Sequence, residues 1–270
     1  MRQKVVCITG STDGIGRAAA LQSAEAGASV ILHGRSRERL EEVKKEITLC
    51  TGSPRVSVIQ ADFVSLGEVA AMADSLRAGN DSIDVLINNA GVYMDRRELT
   101  IDGFETTFAV NYLAHFYLTT LLEPLLLKSG ARIINVSSVD HLSAGFDAGN
   151  MQGEQLYTGY GAYAFSKLCN VMFTVEHAER LRGKGVTVNT LDPGVLATKL
   201  LHAGWPMIGQ DPVYGGEALV WLAFSGEAGT MSGCYFENNH PASYSPLAEE
   251  PQLRCQLWNI SEEMVGRIDT

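Results

Sequence analysis

The stretch Thr9-Gly10-Ser11-Thr12-Asp13-Gly14-Ile15-Gly16 decides the fold of this 270-residue chain. It closes the apolar, β-branched run Val5 to Thr9, and Arg17 onward has the pattern of a helix. Glycines between a strand and a helix permit a tight turn and let backbone N–H groups approach a pyrophosphate at the helix N-terminus. The spacing alone is weak, since chance gives ~0.3 matches in a chain of this composition, but a chance match would rarely fall here. We therefore predict a dinucleotide-binding loop, the alternative being a purely structural turn.

Short apolar runs alternate with helical patterns along the rest of the chain. The predicted strands are Val5 to Thr9, Ser29 to His33, Val56 to Gln60, Val85 to Asn88, Arg132 to Ser137, Val186 to Leu191 and Gly233 to Phe236. The predicted helices cover about 15–26, 37–48, 66–76, 102–128, 161–182 and 215–224. This alternation predicts an α/β fold with a Rossmann-type, doubly wound, parallel seven-stranded sheet that binds ligands outside its carboxyl edge. No linker or repeat is visible, so we predict a single domain over residues 1–270.

Charge and composition exclude several classes of protein. A formal net charge of −10 argues against a surface for nucleic acid or an anionic membrane. The first apolar run is too short for a signal peptide or a membrane span, so we expect a cytoplasmic protein without a membrane anchor. The five cysteines and six histidines are scattered without metal-ligand spacing, which predicts reduced thiols and no catalytic metal.

Arg35 lies in the stretch His33-Gly34-Arg35-Ser36-Arg37, where the second predicted strand ends. An acidic residue about twenty residues past the glycines would contact the ribose 2′-hydroxyl of NAD. No acid is present here, and a guanidinium pairs with a 2′-phosphate through charge-assisted hydrogen bonds. We therefore predict NADP(H) as the cofactor. The alternative is that Arg35, Arg37 and Arg39 form the solvated start of a helix.

Tyr163 and Lys167 lie one turn apart in a predicted helix, so both side chains project from the same face. This spacing is also weak alone, with ~0.2 chance matches expected. Its chemistry is informative, because a nearby ammonium favours the phenolate form of a tyrosine by Coulomb attraction. Such a pair can donate or accept a proton while a hydride moves to or from a nicotinamide.

The chain resembles the short-chain dehydrogenase/reductase family from about Lys4 to Phe236. Beyond the glycine loop and the Tyr163/Lys167 pair, the matches are Asp62, Asn88-Asn89-Ala90-Gly91, Asn111, Ser137-Ser138, and Pro193-Gly194 with Thr198. Each lies at a strand end or on a helix that the fold requires, and their conjunction is far more specific than any one motif. The resemblance implies an oxidoreductase that transfers a hydride between NADP(H) and a carbonyl or alcohol substrate.

The resemblance implies four catalytic residues. Ser138 would hold the substrate oxygen, Tyr163 would exchange its proton, and Lys167 would bind the nicotinamide ribose while lowering the tyrosine pKa. Asn111 would support a water that links Lys167 to solvent. Ser137 is expected to turn its hydroxyl the other way, because neighbours on a strand point to opposite faces.

The expected cofactor contacts come from five strand ends and from the helix that carries Tyr163 and Lys167. Asp62 would lie on the adenine side, Asn89 to Gly91 near the sugar, and Pro193, Val195 and Thr198 at the carboxamide end. The full expected set is Gly10, Ser11, Asp13, Gly14, Ile15, Gly16, Arg35, Asp62, Asn89, Ala90, Gly91, Tyr163, Lys167, Pro193, Gly194, Val195 and Thr198.

Within the family, the segment Asn150 to Val171 is similar to the retinol dehydrogenase-like branch, and so is Asn111-Tyr112-Leu113-Ala114-His115-Phe116. Many relatives in that branch carry an N-terminal membrane anchor, which we do not expect here. His115 is interpreted as a satisfied core histidine. The resemblance also implies a homo-oligomer.

Two segments should cover the reaction centre, a substrate-side insert at about 139–162 and a lid at about 199–213. A C-terminal extension follows at about 237–270. The lid is apolar, with Leu200, Leu201, Trp205, Met207 and Ile208. Such a loop predicts closure over a lipophilic aldehyde or ketone, the alternative being that it packs on the core or on a second subunit.

Two rival functions are weighed against the oxidoreductase. A catalytically silent NADP(H)-binding sensor would show a broken catalytic set, whereas all four catalytic positions are present. A sugar-nucleotide epimerase or dehydratase of the longer branch needs a larger C-terminal substrate domain, which about 34 residues after Phe236 do not provide.

Overall fold

A computed structural model describes residues 3–267. Its strands are β1 (Val5–Ile8), β2 (Ser29–Gly34), β3 (Val56–Gln60), β4 (Val85–Asn88), β5 (Arg132–Val136), β6 (Thr187–Asp192), β7 (Tyr235–Glu237) and β8 (His240–Ala242). Its α-helices are α1 (Gly14–Glu25), α2 (Arg37–Thr51), α3 (Leu66–Gly79), α4 (Thr106–Phe108), α5 (Ala114–Ser129), α6 (Gly159–Arg180), α7 (Lys199–Gly204), α8 (Pro212–Phe224), α9 (Pro246–Glu249) and α10 (Pro251–Gly266). A π-helical turn, Ala109–Leu113, joins α4 to α5.

All the strands form one sheet in the order β3-β2-β1-β4-β5-β6-β7-β8. The first seven run parallel, as expected for a doubly wound fold. The prediction of seven strands was wrong by one, because β8 pairs antiparallel with β7. Asn238 and Asn239 connect the two with φ of +50° and +64°. Such a two-residue turn is favoured in β-hairpins, and Pro241 is tolerated because β8 is an edge strand.

Apolar side chains fill both faces of the sheet. One core lies under α1, α2 and α8, and the other lies under α3, α5, α6 and α10. The predicted helix over 102–128 begins later, at Thr106, because the Glu105 carboxylate caps it by accepting from the N–H groups of Thr107 and Phe108.

The strand order also places the ends of β1, β4, β5 and β6 side by side. The segments that follow these strands therefore share one edge of the sheet.

The C-terminal extension adds a helix that the sequence interpretation did not include. Trp258 on α10 packs edge-on against Phe116, 5.0 Å between ring centroids, and the Arg180 guanidinium lies 4.0 Å over the Trp258 ring. Arg254 lies 3.5 Å from Glu176, so α10 is fixed against α6. Residues 1, 2 and 268–270 of the predicted domain span lie outside the described residues. The part of the chain that the structure describes contains no helix long and apolar enough to cross a membrane.

Candidate active site

The glycine loop is held so tightly that side chains would not fit at two of its glycines. Gly10 has φ of +65°, and a Cβ there would lie 2.8 Å from the Cα of Ala90. A Cβ on Gly16 would lie 2.4 Å from the carbonyl oxygen of Gly10. The Asn89 amide donates to the carbonyls of Thr9 and Gly10 at 2.9 and 3.1 Å. The side chain of Asn89 therefore fixes the glycine loop. Its predicted contact with the cofactor stays a prediction.

A buried polar hub connects the ends of β1 and β4 to the helix above them. The Thr9 hydroxyl accepts from the N–H groups of Asn89 and Ala90 at 2.8 and 3.0 Å. With both lone pairs used, its proton is directed to Nε2 of His115 at 2.9 Å. His115 Nδ1 then donates to the Asn111 carbonyl at 3.1 Å. Burial lowers the pKa of His115 to about 3, so His115 is the neutral, satisfied core histidine that the sequence predicted.

His33 supports the same loop from β2. Its Nδ1 accepts from the Gly10 N–H at 3.2 Å and its Nε2 donates to the Ala61 carbonyl at 3.1 Å, which requires a neutral ring. Burial lowers the pKa of His33 to about 4. The Ser11 hydroxyl exchanges hydrogen bonds with the His33 backbone, and the Ser11 N–H donates to the His33 carbonyl. The hydroxyl and the N–H of Ser11 thus hold the loop against β2, and its predicted cofactor contact stays a prediction.

Asp13 caps α1 by accepting from the Gly14 N–H at 2.8 Å. It also pairs with Lys199, the first residue of α7, and that hydrogen bond lowers the pKa of Asp13. Thr198 lies against Gly14, 3.2 Å from the position of a Cβ there. The start of the predicted lid thus contacts the glycine loop directly. Ile15 packs beneath the loop on the core that contains α8.

Arg35 follows β2 at its carboxyl end and is exposed. Its carbonyl accepts from the Gln60 amide at 3.1 Å, whereas its guanidinium forms no hydrogen bond or ion pair with any residue between 3 and 267. Arg37 is different, because it forms an ion pair with Glu41 at 2.7 Å. The guanidinium of Arg35 is therefore available to an anion at this edge, as is that of the exposed Arg39.

Asp62 follows β3, and its carboxylate accepts from the Val64 N–H at 3.2 Å. Its own N–H donates to Glu68 at 2.8 Å, so the turn after β3 is stabilised by two acids. Ala90 and Gly91 follow β4 on the same edge. A Cβ on Gly91 would be in ordinary van der Waals contact with Leu200 at 3.4 Å and with the Asn111 amide oxygen at 3.5 Å.

Ser138 lies two residues after β5 and is buried. It caps a 3₁₀ helix, Val139–Ser143, by accepting from the Asp140 N–H at 3.2 Å. Its hydroxyl donates to the Asp140 carboxylate at 3.1 Å, and its proximity moderates the rise in the pKa of Tyr163. The Ser137 hydroxyl instead donates to the Lys167 carbonyl at 2.9 Å. The two serines therefore face in different directions, as the strand alternation predicted.

Tyr163 and Lys167 share one face of α6 and are both buried. The Lys167 ammonium lies 5.4 Å from the Tyr163 ring centroid and donates to the Val136 carbonyl at 3.0 Å. Burial raises the pKa of Tyr163, and the charge of Asp140 adds to that rise. Burial lowers the pKa of Lys167 to about 8. Desolvation is the largest cause of the raised pKa of Tyr163, and the expected effect of Lys167 on the tyrosine stays a prediction.

Asn111 lies on the π-helical turn and is fully buried. Its amide oxygen accepts from the Val92 N–H at 2.7 Å, and its amide nitrogen donates to the Val92 carbonyl at 3.0 Å and to Ser166 at 3.1 Å. These bonds hold the loop after β4 against α6. The side chain of Asn111 thus positions the site, and the predicted water relay stays a prediction.

The segment after β6 carries the remaining predicted contacts. Gly194 has φ of +86°, and its N–H donates to Asp192 at 3.2 Å. Val195 is exposed beside the half-buried Pro193. Thr198 caps α7 by accepting from the Leu201 N–H at 3.2 Å. Two backbone bonds of Gln210, to Val195 and Ala197, close the base of the lid.

The lid places one aromatic side chain over the reaction centre. Trp205 packs edge-on against Tyr163 at 5.1 Å between ring centroids, and it also contacts Tyr93 at 5.2 Å and Tyr160 at 6.3 Å. The rest of the lid is less covered than its composition predicted, since Ile208 is 99% exposed and Met207 is 48% exposed. Trp205 is thus the part of the lid that covers Tyr163.

Four residues at this edge were missed by the sequence analysis. His33 and His141 are buried and bonded to backbone groups of Gly10 and Ser138, and Asp140 and Tyr160 flank Ser138. The two histidines gave no signal, because a lone histidine has no spacing that marks it. Asp140 could have been noticed, since it lies two residues after the predicted catalytic serine.

Comparison with known proteins identifies the class. A family model for short chain dehydrogenases matches residues 4–207. Retinol dehydrogenase 13 of Mus musculus is 37% identical over 280 residues, which cover 97% of this chain and 84% of that protein. Retinol dehydrogenase 11 of Homo sapiens is 37% identical over 273 residues, which cover 97% of this chain and 86% of that protein. The chain therefore belongs to the short-chain dehydrogenase/reductase family.

Solved structures agree with this assignment. An uncharacterised protein from Mycobacterium paratuberculosis matches with a TM-score of 0.82 and 28% identity, covering 98% of this chain and 94% of that one. A short-chain dehydrogenase from Shigella flexneri, complexed with NADP, matches with a TM-score of 0.72 and 26% identity over 87% and 97% of the two chains. Within the family, the chain belongs to the retinol dehydrogenase-like branch. It is thus an oxidoreductase of the type that uses a nicotinamide dinucleotide.

Proposed function

We propose that this protein reduces apolar aldehydes or ketones with NADPH, or oxidises the corresponding alcohols with NADP. The observation that carries the proposal is the buried pair Tyr163 and Lys167, with Trp205 packed edge-on against Tyr163, at the same sheet edge as the glycine loop. A bound nicotinamide would supply or accept the hydride. The residues of the chain would supply the proton and the hydrogen bonds to the substrate oxygen.

The glycine loop fits the proposed cofactor. Gly10 and Gly16 leave no room for side chains, and their backbone borders the N-terminus of α1, where a pyrophosphate is stabilised by free N–H groups and the helix dipole. The exposed, unpaired guanidinium of Arg35 is the group that would bind a 2′-phosphate. The NADP complex of the Shigella flexneri relative supports the same choice of cofactor.

In the proposed reaction, Tyr163 gives its phenolic proton to the substrate oxygen as that oxygen gains charge. The raised pKa of Tyr163 keeps the proton in place until it is needed, which suits the reductive direction. Ser138 would turn its hydroxyl from Asp140 to the substrate oxygen and hold it against Tyr163. Lys167 would stabilise the resulting phenolate by charge, and Asn111 would keep the loop after β4 in register with α6.

The substrate class is inferred from the walls of the site. Trp205, Tyr93, Tyr160 and Tyr163 form an aromatic enclosure that would exclude water from the transfer. The retinol dehydrogenases among the relatives act on an apolar alcohol by name, which agrees with this lining. We further propose that the protein acts in the cytoplasm as a homo-oligomer.

The test is to follow the absorbance of NADPH while purified protein is given a panel of aldehydes, ketones and quinones. NADPH-dependent turnover of apolar carbonyls is expected. A protein that binds NADPH but turns over none of the panel, in either direction, would instead be the silent sensor. Tight binding without turnover is the result that contradicts the proposal.

A further inference from the structure

One carboxylate at the reaction centre has no role in the reaction proposed above. Asp140 lies on the 3₁₀ helix that follows Ser138. Its Oδ2 accepts from the Ser138 hydroxyl at 3.1 Å, and its Oδ1 accepts from the Tyr160 hydroxyl at 3.0 Å. Ser143 bonds to the same tyrosine at 3.0 Å and to the Asp140 carbonyl at 2.8 Å. These bonds fix the carboxylate directly beside the hydroxyl that would hold the substrate oxygen.

The charge of Asp140 is not neutralised by an ion pair. Its two oxygens accept from hydroxyls, and no described lysine, arginine or histidine forms a salt bridge with it. Lys167, the cation of the same site, donates instead to the Val136 carbonyl. Asp192 is a second carboxylate whose charge acts on Lys167. The site thus presents the negative charge of Asp140 beside Ser138. The charge of the buried Lys167 acts on both Asp140 and Asp192, and Lys167 forms an ion pair with neither.

An uncompensated charge in a partly enclosed site acts strongly on whatever enters it. Coulomb interactions are several times stronger at the lower effective dielectric of such a site than in water. The substrate oxygen must contact Ser138, and Ser138 contacts Asp140, so the reacting carbon comes close to this carboxylate. A substrate carboxylate on the adjacent carbon would therefore lie close to the Asp140 carboxylate, and the two negative charges would repel each other.

We propose that Asp140 determines the charge specificity of this site, so that the protein rejects 2-oxo acids and other carbonyl compounds with a carboxylate beside the reacting carbon. Neutral carbonyl compounds of the same shape are accepted. The inference rests on the proposed function and deepens it, because it names the feature of a substrate that the site excludes. It assigns the exclusion to one side chain rather than to the apolar lid.

A purely structural role for Asp140 makes a different prediction. If the side chain served only to cap and hold the 3₁₀ helix, Asp140→Asn would change the turnover of charged and neutral substrates by the same factor. If its charge selects substrates, that variant changes the ratio between them. Asparagine keeps the size of the side chain and one acceptor oxygen, so the ratio isolates the charge.

The experiment compares benzoylformate, a 2-oxo acid, with its uncharged amide. The kcat/KM for NADPH-dependent reduction, or the inhibition constant against a neutral aldehyde for a compound that is not reduced, is measured for wild type and Asp140→Asn. Intrinsic reactivity cancels when the amide-to-acid ratios of the two proteins are divided. The matched control is Asp81→Asn, which removes an exposed acid before β4, at the opposite edge of the sheet.

We expect the wild type to favour the amide, and Asp140→Asn to reduce that preference about tenfold, as for a nearby charge at reduced dielectric. Asp81→Asn should keep the wild-type ratio. Added salt should weaken the wild-type preference, because the site is open to ions on one side. An unchanged ratio in Asp140→Asn, or no competition by either compound, overturns the inference. Failure of the wild type to reduce any neutral aldehyde overturns the proposed function itself, so the two failures are distinct.

Discussion

Burial has the same effect on Tyr163 and Lys167, because it favours the neutral form of each side chain. It raises the pKa of Tyr163 and lowers that of Lys167 to about 8. Asp140 raises both values, and Ser138 moderates that of Tyr163. Burial therefore favours the protonated phenol of Tyr163, which is the form that the proposed reduction requires.

Replacing Tyr163 with Phe should remove at least about a thousandfold of turnover, since the phenol is the proposed proton donor. Affinity for NADPH should change little, because the hydroxyl acts on the substrate oxygen. Steady-state kinetics and a fluorescence titration with NADPH measure the two effects. Tyr214→Phe, at an exposed tyrosine on α8, is the control. Near wild-type turnover in Tyr163→Phe would show that another group donates the proton.

Arg35 should give NADPH a preference over NADH of at least about tenfold, or 1.4 kcal/mol, because its free guanidinium can pair with the 2′-phosphate. Arg35→Ala should lose most of that preference. Arg37→Ala is the matched control, since Arg37 is already paired with Glu41. Dissociation constants for both dinucleotides decide the matter. A wild type that prefers NADH, or a full preference retained without Arg35, contradicts the assignment.

At the residue scale, the sequence identified the groups with a characteristic spacing and missed the groups that hold them. Ser138, Tyr163 and Lys167 were predicted because the conjunction of several motifs in the right order is specific, although each spacing alone is weak. His33 and His141 bond to the backbone of the site, but nothing in a sequence marks a buried histidine whose partners are distant carbonyl and N–H groups. The effect of burial on the pKa of Tyr163 could not be predicted, because it depends on the packing of distant segments.

At the scale of elements, strands with continuous β-branched runs were predicted well, and short elements with weak patterns were not. β3 and β4 match their predicted bounds, Val56–Gln60 and Val85–Asn88. β8 is three residues long and contains Pro241, so it has neither alternation nor an apolar run. Its one signal was the Asn238-Asn239 pair, which is typical of a two-residue hairpin turn.

The lid acts as one element whose base is fixed and whose tip is exposed. Trp205→Ala should remove its contact with Tyr163 and flatten the rise in catalytic efficiency with the apolar size of the aldehyde. A burial gain of ~0.8 kcal/mol per CH₂ sets an upper limit of about fourfold per added methylene for the wild type. Steady-state kinetics over a series from propanal to decanal test this prediction.

Ile208→Ala is the control for that series, because Ile208 belongs to the same lid and its side chain is exposed. It should keep the wild-type dependence on chain length, and both variants should keep their affinity for NADPH. Equal efficiency across the wild-type series, or a preference for small charged carbonyls, would contradict closure of the lid over an apolar substrate.

At the scale of the whole molecule, the parallel sheet brings four strand ends to one edge, and two neutral histidines connect the elements there. His33 joins the glycine loop to the segment after β3, and His115 joins β1 and β4 to the long helix through Thr9. Both rings are buried and must lose a hydrogen bond if they take up a proton. The cofactor edge and the stability of the fold should therefore share one dependence on pH.

Acid should destabilise the protein well before its carboxylates are protonated. The folded pKa values of about 4 for His33 and about 3 for His115 lie below the 6.5 of an unfolded histidine. The unfolded chain therefore binds more protons between these values, so stability present above pH ~6.5 is lost as the pH falls. For His115 this amounts to about 2 kcal/mol at pH ~5.

Urea unfolding, followed by circular dichroism at neutral pH and at pH ~5, should show this loss of stability. His115→Gln should reduce it by about that amount, whereas the exposed His240→Gln should not. An equal loss in wild type and His115→Gln would mean that His115 takes up its proton without cost to the fold.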